Sequence, residues 1–259
     1  VRPYLSASSI NAFLNCPRYF AFVYEEEAEP AHVSSNLLLG SAVHLAAAKL
    51  YQAIRGKQKI KRREVAAVFC DSLLALKESN PPILFNKDET FGSLLVQGVG
   101  LIDCLVENTP RDEEILEVDF EINVPMKNSE GKDLGIGLKC ILDKLCRAEG
   151  KEIAVDLKTS ARKYTSDKTE NDIQACAYTY ALAARNGGGP QRFQWQVLLK
   201  TPTPSMVTYE TTLGPRDFDR LWATAENMLR GVQAGAYAPV QSWRCKTCPF
   251  SEPCRSWGS

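Results

Sequence analysis

The stretch ILDKLCRAEGKEIAVDLKTS, residues 141–160, carries most of the information in the chain. Apolar and polar residues alternate on both sides of Glu149-Gly150, the pattern of two strands joined by a tight turn. Successive side chains of a strand point to opposite faces. Ile153, Val155 and Leu157 therefore turn into a core, while Ala154, Asp156 and Lys158 share the other face. With a two-residue loop Ala148 faces Lys151, and that register carries Asp143 directly across from Asp156, with Cβ atoms roughly 4.5–5.5 Å apart. Two carboxylates at that spacing repel each other unless a divalent cation lies between them. An Asp-x-Lys triplet alone is ordinary on an exposed edge strand, so its company has to decide its meaning.

Outward from the hairpin, residues 115–125 and 135–147 read as strands around a turn at Asn128–Gly131. A helix follows over Asn171–Arg185 and ends at Gly187-Gly188-Gly189, and strands near 193–200 and 205–212 form a second hairpin around Thr201–Pro204. The last helix begins at Pro215, a residue suited to a first helical position. On the N-terminal side, Ser8 or Ser9 can cap a helix carrying Ile10, Phe13 and Leu14. A second helix runs from about Leu37 to Ile54, and two more lie near Glu64–Lys77 and Thr90–Glu107, separated by Asn80-Pro81-Pro82. This order predicts an α/β fold: one domain over residues 1–259 with a mixed central sheet flanked by helices. The helices between about 45 and 112 read as an insertion on one side, and residues 241–259 as a cysteine-rich tail.

The chain has 259 residues, 44% hydrophobic and 24% charged, which is ordinary for a packed globular protein. No phosphate-binding loop G-x-x-x-x-G-K-[ST] is present, so no ATP-driven motor is encoded. No apolar run reaches the ~18 residues of a membrane span, and the first residues lack the apolar segment of a secretory signal. A cytoplasmic protein without a membrane partner is expected. The net charge is zero, which weighs mildly against a nucleic-acid binder. A local basic run, Arg55, Lys57, Lys59, Lys61, Arg62 and Arg63, reads either as a solvated surface or as a phosphate-contacting patch.

Nine cysteines, an odd number without a secretory signal, argue against a disulfide framework. Cys245, Cys248 and Cys254 form C-x₂-C-x₅-C, a metal-binding spacing one ligand short of four. Cys16, followed by Pro17, is the best fourth. Spacing leaves Zn²⁺ and [4Fe-4S] both open. Cys70, Cys104, Cys140, Cys146 and Cys176 fall inside helix and strand patterns and read as small buried hydrophobes. His44 lies mid-helix among small residues, either a core histidine or a nitrogen ligand. Gln174 and Tyr178 are four apart on one helix face.

In this order the motifs resemble the RecB-like branch of the PD-(D/E)XK nucleases, and within it the iron–sulfur members: the AddB nuclease domain and the CRISPR-associated adaptation nucleases. The resemblance rests on Ser8 through Cys16-Pro17, on G-x-x-x-H at Gly40 and His44, on Asp143, on Asp156-Leu157-Lys158, on Gln174 with Tyr178, and on the terminal cysteines. It implies a DNA nuclease, acting as an exonuclease on single strands or DNA ends, with Mg²⁺ or Mn²⁺ held by His44, Asp143, Asp156 and the Leu157 carbonyl. It further implies Lys158 as the catalytic lysine, Gln174 and Tyr178 as DNA-positioning residues, and a structural [4Fe-4S] cluster on Cys16, Cys245, Cys248 and Cys254. Recombination, repair or CRISPR adaptation proteins are the partners it suggests, and a DNA-end-binding module that does not cut is the alternative. Cys140 stands where the family often has glycine in G-x-x-D.

Overall fold

The computed structural model describes residues 3–256; residues 257–259 of the cysteine-rich tail lie outside the described residues. The centre is a mixed sheet of six strands: β1 (Tyr4–Leu5), β4 (Glu114–Lys127), β5 (Asp133–Ala148), β6 (Lys151–Ser160), β7 (Gln191–Leu199) and β8 (Ser205–Leu213). Two short strands, β2 (Val33–Ser34) and β3 (Ile83–Leu84), pair separately. β5 takes β4 along one edge, antiparallel. Its other edge is shared by β1, parallel at Gly137 and Leu138, and β6, antiparallel from Lys144 onward. Residues 139–143 are thus left without a strand partner on that edge. β6 and β7 run parallel, as expected of strands joined by a helical crossover, and β8 closes the sheet antiparallel to β7.

Two cores cover the two faces. On one, Ile153, Val155, Leu157 and Leu198 pack against α3 (Ser35–Arg55), α4 (Arg62–Ser79) and α5 (Phe91–Asn108). On the other, Leu138, Cys140, Leu142, Ala154, Phe193 and Trp195 pack against α1 (Ala7–Asn15), α7 (Ile173–Arg185) and α8 (Pro215–Gln233). The alternation read from the sequence is therefore the one observed in β6. Leu142 and Leu145 lie three apart yet reach the same core, so β5 breaks its alternation around Asp143.

α3 starts at the Ser34 cap, whose hydroxyl accepts the Leu37 N–H. It presents Leu39, Val43, Ala46, Leu50 and Ile54 to the core at helical spacing. It runs unbroken past residue 45, so the helices added beside it are α4 and α5. Gly98 is required where these two meet, since a Cβ there would fall 1.9 Å from the Phe69 ring. The first helix is capped by Ser6, with Ser9 returning the bond. The expected caps, Ser8 and Ser9, already lie inside it. Pro17 opens the four-residue α2 (Pro17–Phe20), which continues into a π-helical turn over Ala21–Glu25.

α3 and α5 are both long and apolar enough by length and composition to cross a membrane, although the sequence showed no uninterrupted apolar run. The two long helices tolerate scattered polar residues because those lie off the packed face: Leu39, Val43 and Leu50 of α3, and Leu101 and Leu105 of α5, are fully buried within the protein.

Candidate active site

Asp156 and Lys158 sit near the C-terminal end of β6, on the face toward α7. Asp143 approaches from β5 and His44 from α3. These four line a cavity of about 540 Å³ together with Asp119, Asn36, Thr159, Gln174 and Tyr178. The β5–β6 ladder follows the expected register from Ala148–Lys151 to Lys144–Val155 and then stops, one pair short of placing Asp143 opposite Asp156. At that point the Asp143 carboxylate takes over: Oδ2 accepts the Leu157 N–H at 2.6 Å and Oδ1 meets His44 Nδ1 at 2.7 Å. The side chain thus substitutes for the missing strand partner, and the Leu157 main chain faces a carboxylate.

Asp156 is 2% exposed. Its Oδ1 accepts from Lys158 Nζ and from Gln174 Nε2, each at 2.9 Å. Its Oδ2 lies 2.8 Å from Lys158 Nζ, but the angle is poor and that oxygen makes no proper hydrogen bond. The contact is an ion pair only. Gln174 spends its other proton on the Tyr178 hydroxyl at 2.8 Å, and Asp172 caps α7 through the Gln174 and Ala175 N–H groups. Gln174 therefore orients the acid in this structure.

Burial pushes the Asp156 carboxyl up to about 6, against the pull of Lys158; the Asp143 charge adds to the rise and His44 opposes it. For Lys158, burial works against the ammonium but the Asp156 and Asp143 charges outweigh it, and its pKa rises. The same balance holds at His44, where the Asp143 hydrogen bond overcomes burial. Tyr178 is raised by burial and by the Asp156 charge. Two acids here raise the cost of each other's charge, and a cation would relieve both.

The donor set suits a hard divalent cation: carboxylate oxygens from Asp143 and Asp156, an imidazole, and a buried Asp156 oxygen with no hydrogen bond of its own. Yet among the described residues no three His, Cys, Asp or Glu side chains are grouped closely enough to hold a metal ion. As they stand, the acids are closed onto His44 and Lys158.

The family model of the PD-(D/E)XK nuclease superfamily matches residues 4–255. The chain belongs to that superfamily. Its mixed sheet with helices on both faces is the superfamily's core architecture. A crystal structure from Eubacterium rectale, described as a "Putative exonuclease", shares 18% identity and superposes with a TM-score of 0.58, covering 99% of this chain and 89% of that one. At that identity the likeness speaks for the fold alone. A further crystal structure, of SSO0001, reaches 16% identity over 86% of this chain and 85% of that one, with a TM-score of 0.38, too low to bear on the fold. No curated protein matches.

Cys16, Cys245, Cys248 and Cys254 converge between the N-terminal helices and the tail. All four line a cavity of about 330 Å³. Cys16 Sγ accepts the Val240 N–H at 3.4 Å and Cys245 Sγ the Ser242 N–H at 3.4 Å. Burial, and then the neighbouring sulfurs, raise the Cys248 and Cys254 thiols. Of the other cysteines, Cys104, Cys140, Cys146 and Cys176 are buried as expected and Cys70 is half-buried. Cys140, at the position where the family often has glycine, fits with its thiol 3.5 Å from the Ala177 carbonyl of α7.

Sequence reading missed Asp119. It stands across from Asp143, between the pairs Val118–Lys144 and Phe120–Leu142, with a left-handed φ of 48° that a non-glycine residue rarely adopts in a strand. Burial and the Asp143 charge raise its pKa. The turn at Asn128–Gly131 alone would pair Asp143 with residue 116 or 117, and the register shift between Pro125 and Lys127 brings Asp119 opposite it instead. The basic run near residue 60 takes the bland reading in part: Arg55 pairs with Glu117, and Arg62 with Asp103 and Glu107.

Proposed function

We propose that the protein is a metal-dependent deoxyribonuclease, an exonuclease acting on single-stranded DNA or DNA ends in the cytoplasm as a single nuclease domain. The observation that carries this reading is the gathering of His44, Asp143, Asp156 and Lys158 in one cavity. There the buried carboxyl is held against its own desolvation. His44, Asp143, Asp156 and the Leu157 carbonyl would hold Mg²⁺ or Mn²⁺. When bound, the ion polarises a phosphoryl oxygen and lowers the pKa of the attacking water.

The chain's own residues do the rest. Lys158 keeps a positive charge beside Asp156, where it can meet the charge developing on the phosphate. Gln174 fixes the Asp156 carboxylate and is itself fixed by Tyr178, so the catalytic acid is oriented before substrate arrives; a DNA strand in the cavity would meet both. The test is a Mg²⁺ or Mn²⁺ assay on end-labelled single- and double-stranded DNA after anaerobic purification. Ion-dependent shortening from an end is the expected result.

The same reading assigns a structural [4Fe-4S] cluster to Cys16, Cys245, Cys248 and Cys254. The four cysteines line one cavity, although the described residues hold no group of three or more side chains close enough to bind a metal, and main-chain N–H groups directed at two of the sulfurs are typical support for cluster thiolates. Recombination, repair or CRISPR adaptation proteins are the partners this class suggests. A second reading, a DNA-end-binding module that does not cut, is favoured by the mutual neutralisation of the acids by His44 and Lys158. Tight DNA binding with no ion-dependent cleavage would decide for it.

A further inference from the structure

Two basic side chains at or near the nuclease site are neutralised. Lys158 pairs with Asp156, and Lys144, wholly buried, pairs with Glu113 at 2.5 Å. Two lysines beside the cavity differ. Lys168, on the short α6 (Ser166–Glu170), lies 3.5 Å above the Tyr164 ring, and Lys200, just past β7, bonds to Asn36 at the start of α3. Neither makes an ion pair among the described residues. Burial lowers the pKa of both: at Lys168 it outweighs Asp172 and Asp156 while Lys158 adds to the drop, and at Lys200 it outweighs Glu89.

Their positions bracket the catalytic strand. The Lys200 N–H donates to the Ser160 carbonyl at 2.8 Å, so residue 200 adjoins the end of β6, and its side chain reaches Asn36, which lines the cavity. Lys168 lies toward the α7 face, because Tyr164 beneath it packs on that core and stacks on Tyr209 at 5.6 Å. Arg162 and Lys163, exposed and without an ion pair among the described residues, link the two sides. On the α3 rim, Leu37 and Leu45 line the same cavity while remaining 62% and 50% exposed. Unpaired cations suit phosphates, and bare apolar side chains suit base faces, which a duplex hides and a single strand presents.

We propose that Lys168 and Lys200 form a two-sided phosphate grip that draws one nucleic-acid strand across the C-terminal ends of β6 and β7, with Leu37 and Leu45 against its bases. The inference rests on the nuclease reading for the place of the scissile phosphate, but strand binding can be measured without cleavage.

The probe is a fluorescein-labelled oligo-dT of about twenty nucleotides, titrated by anisotropy in Ca²⁺ at several salt concentrations. The proteins are wild type, Lys168→Gln, Lys200→Gln, the double variant, and Lys151→Gln as a control at the exposed turn end of β6. Each phosphate contact removed lowers the salt slope by about 0.7 for a single strand, so the double variant should lose about 1.4 and the control nothing. In cleavage, the double variant should raise KM with kcat nearly unchanged. Thermal melts verify folding, and Lys200→Arg should restore binding where Lys200→Gln does not. An unchanged slope, an equal loss in the control, or tighter binding of duplex than of oligo-dT would overturn the proposal. A reduced slope in a protein that never cuts would leave the grip standing and sink the nuclease reading.

Discussion

The two candidate sites of the molecule gather their special residues in opposite ways. At the catalytic cavity, four elements deliver side chains that hydrogen-bond to each other: His44 to Asp143, Asp143 to the Leu157 N–H, Lys158 and Gln174 to Asp156. The sheet and α3 hold them whether or not an ion is present. At the cysteine end the sulfurs come from one helix terminus and a tail of short turns, and Cys245 is exposed. The tail is pinned by the buried Phe250 stacking on Phe22 at 5.1 Å, by Arg244 bonded to Asn15, and by the His32 contact with the Thr247 carbonyl at 3.1 Å. A preorganised candidate active site and a seam proposed to depend on a cluster should therefore fail differently.

The largest effect is expected at Asp156. Asp156→Ala should bring cleavage to background while iron content and circular dichroism stay at wild-type values, because a carboxylate is lost and no core residue. Wild-type cleavage in that variant would remove Asp156 from the active site. Lys158→Ala should retain divalent-ion binding but cut kcat by about 10²–10³-fold, the usual loss of a preorganised electrostatic group. A collapse of ion affinity would show instead that the lysine supports the metal site.

Cys16→Ala tests the seam. The proposed cluster, shared between Cys16 and the tail, would close nearly the whole chain into a loop, and long loops gain most from closure in the chain-entropy model. Phosphodiester hydrolysis moves no electrons, so iron is not needed for the chemistry. The variant should lose iron and melt on the order of 10 °C lower, with turnover per folded molecule preserved at low temperature. A colourless variant melting with wild type would mean that the Phe250 packing alone holds the seam.

The smallest effect is in pH dependence without metal. A carboxyl raised from 3.8 to about 6 in the folded state weighs against folding when ionised in both states. That cost is relieved as pH falls through the folded value and is gone below the unfolded one. His44, also raised, contributes stability that is lost as pH rises through its folded pKa. Both act in one direction, so the metal-free protein should become more stable from pH 7 to pH 5, by about 1.3 kcal/mol from Asp156. Denaturant melts of Asp156→Asn should show a flatter dependence, and an equally steep one would place the effect elsewhere.

The hairpin was the most legible part of the sequence because strand alternation and a two-residue turn fix faces and register together. That logic placed Asp156, Lys158 and, one pair short, Asp143. The ladder ends early because the Asp143 carboxylate captures the Leu157 N–H, a side-chain event no periodicity encodes. Asp119 was hidden by a left-handed residue inside a strand, and Lys168 by a five-residue helix too short to leave a pattern. His44 could be placed on a helix, but which face met the sheet depended on the packing of α3 against β6.

The central claim is that the Asp143–Asp156 pair binds a divalent cation. It is tested most directly by titrating Mn²⁺ into wild type and into Asp143→Asn/Asp156→Asn, following the free-Mn²⁺ paramagnetic signal alongside cleavage of labelled single-stranded DNA. Wild type should take up Mn²⁺ with cleavage rising in step with occupancy, and the double variant should do neither. Cleavage in excess chelator, or equal Mn²⁺ uptake by both proteins, would contradict it.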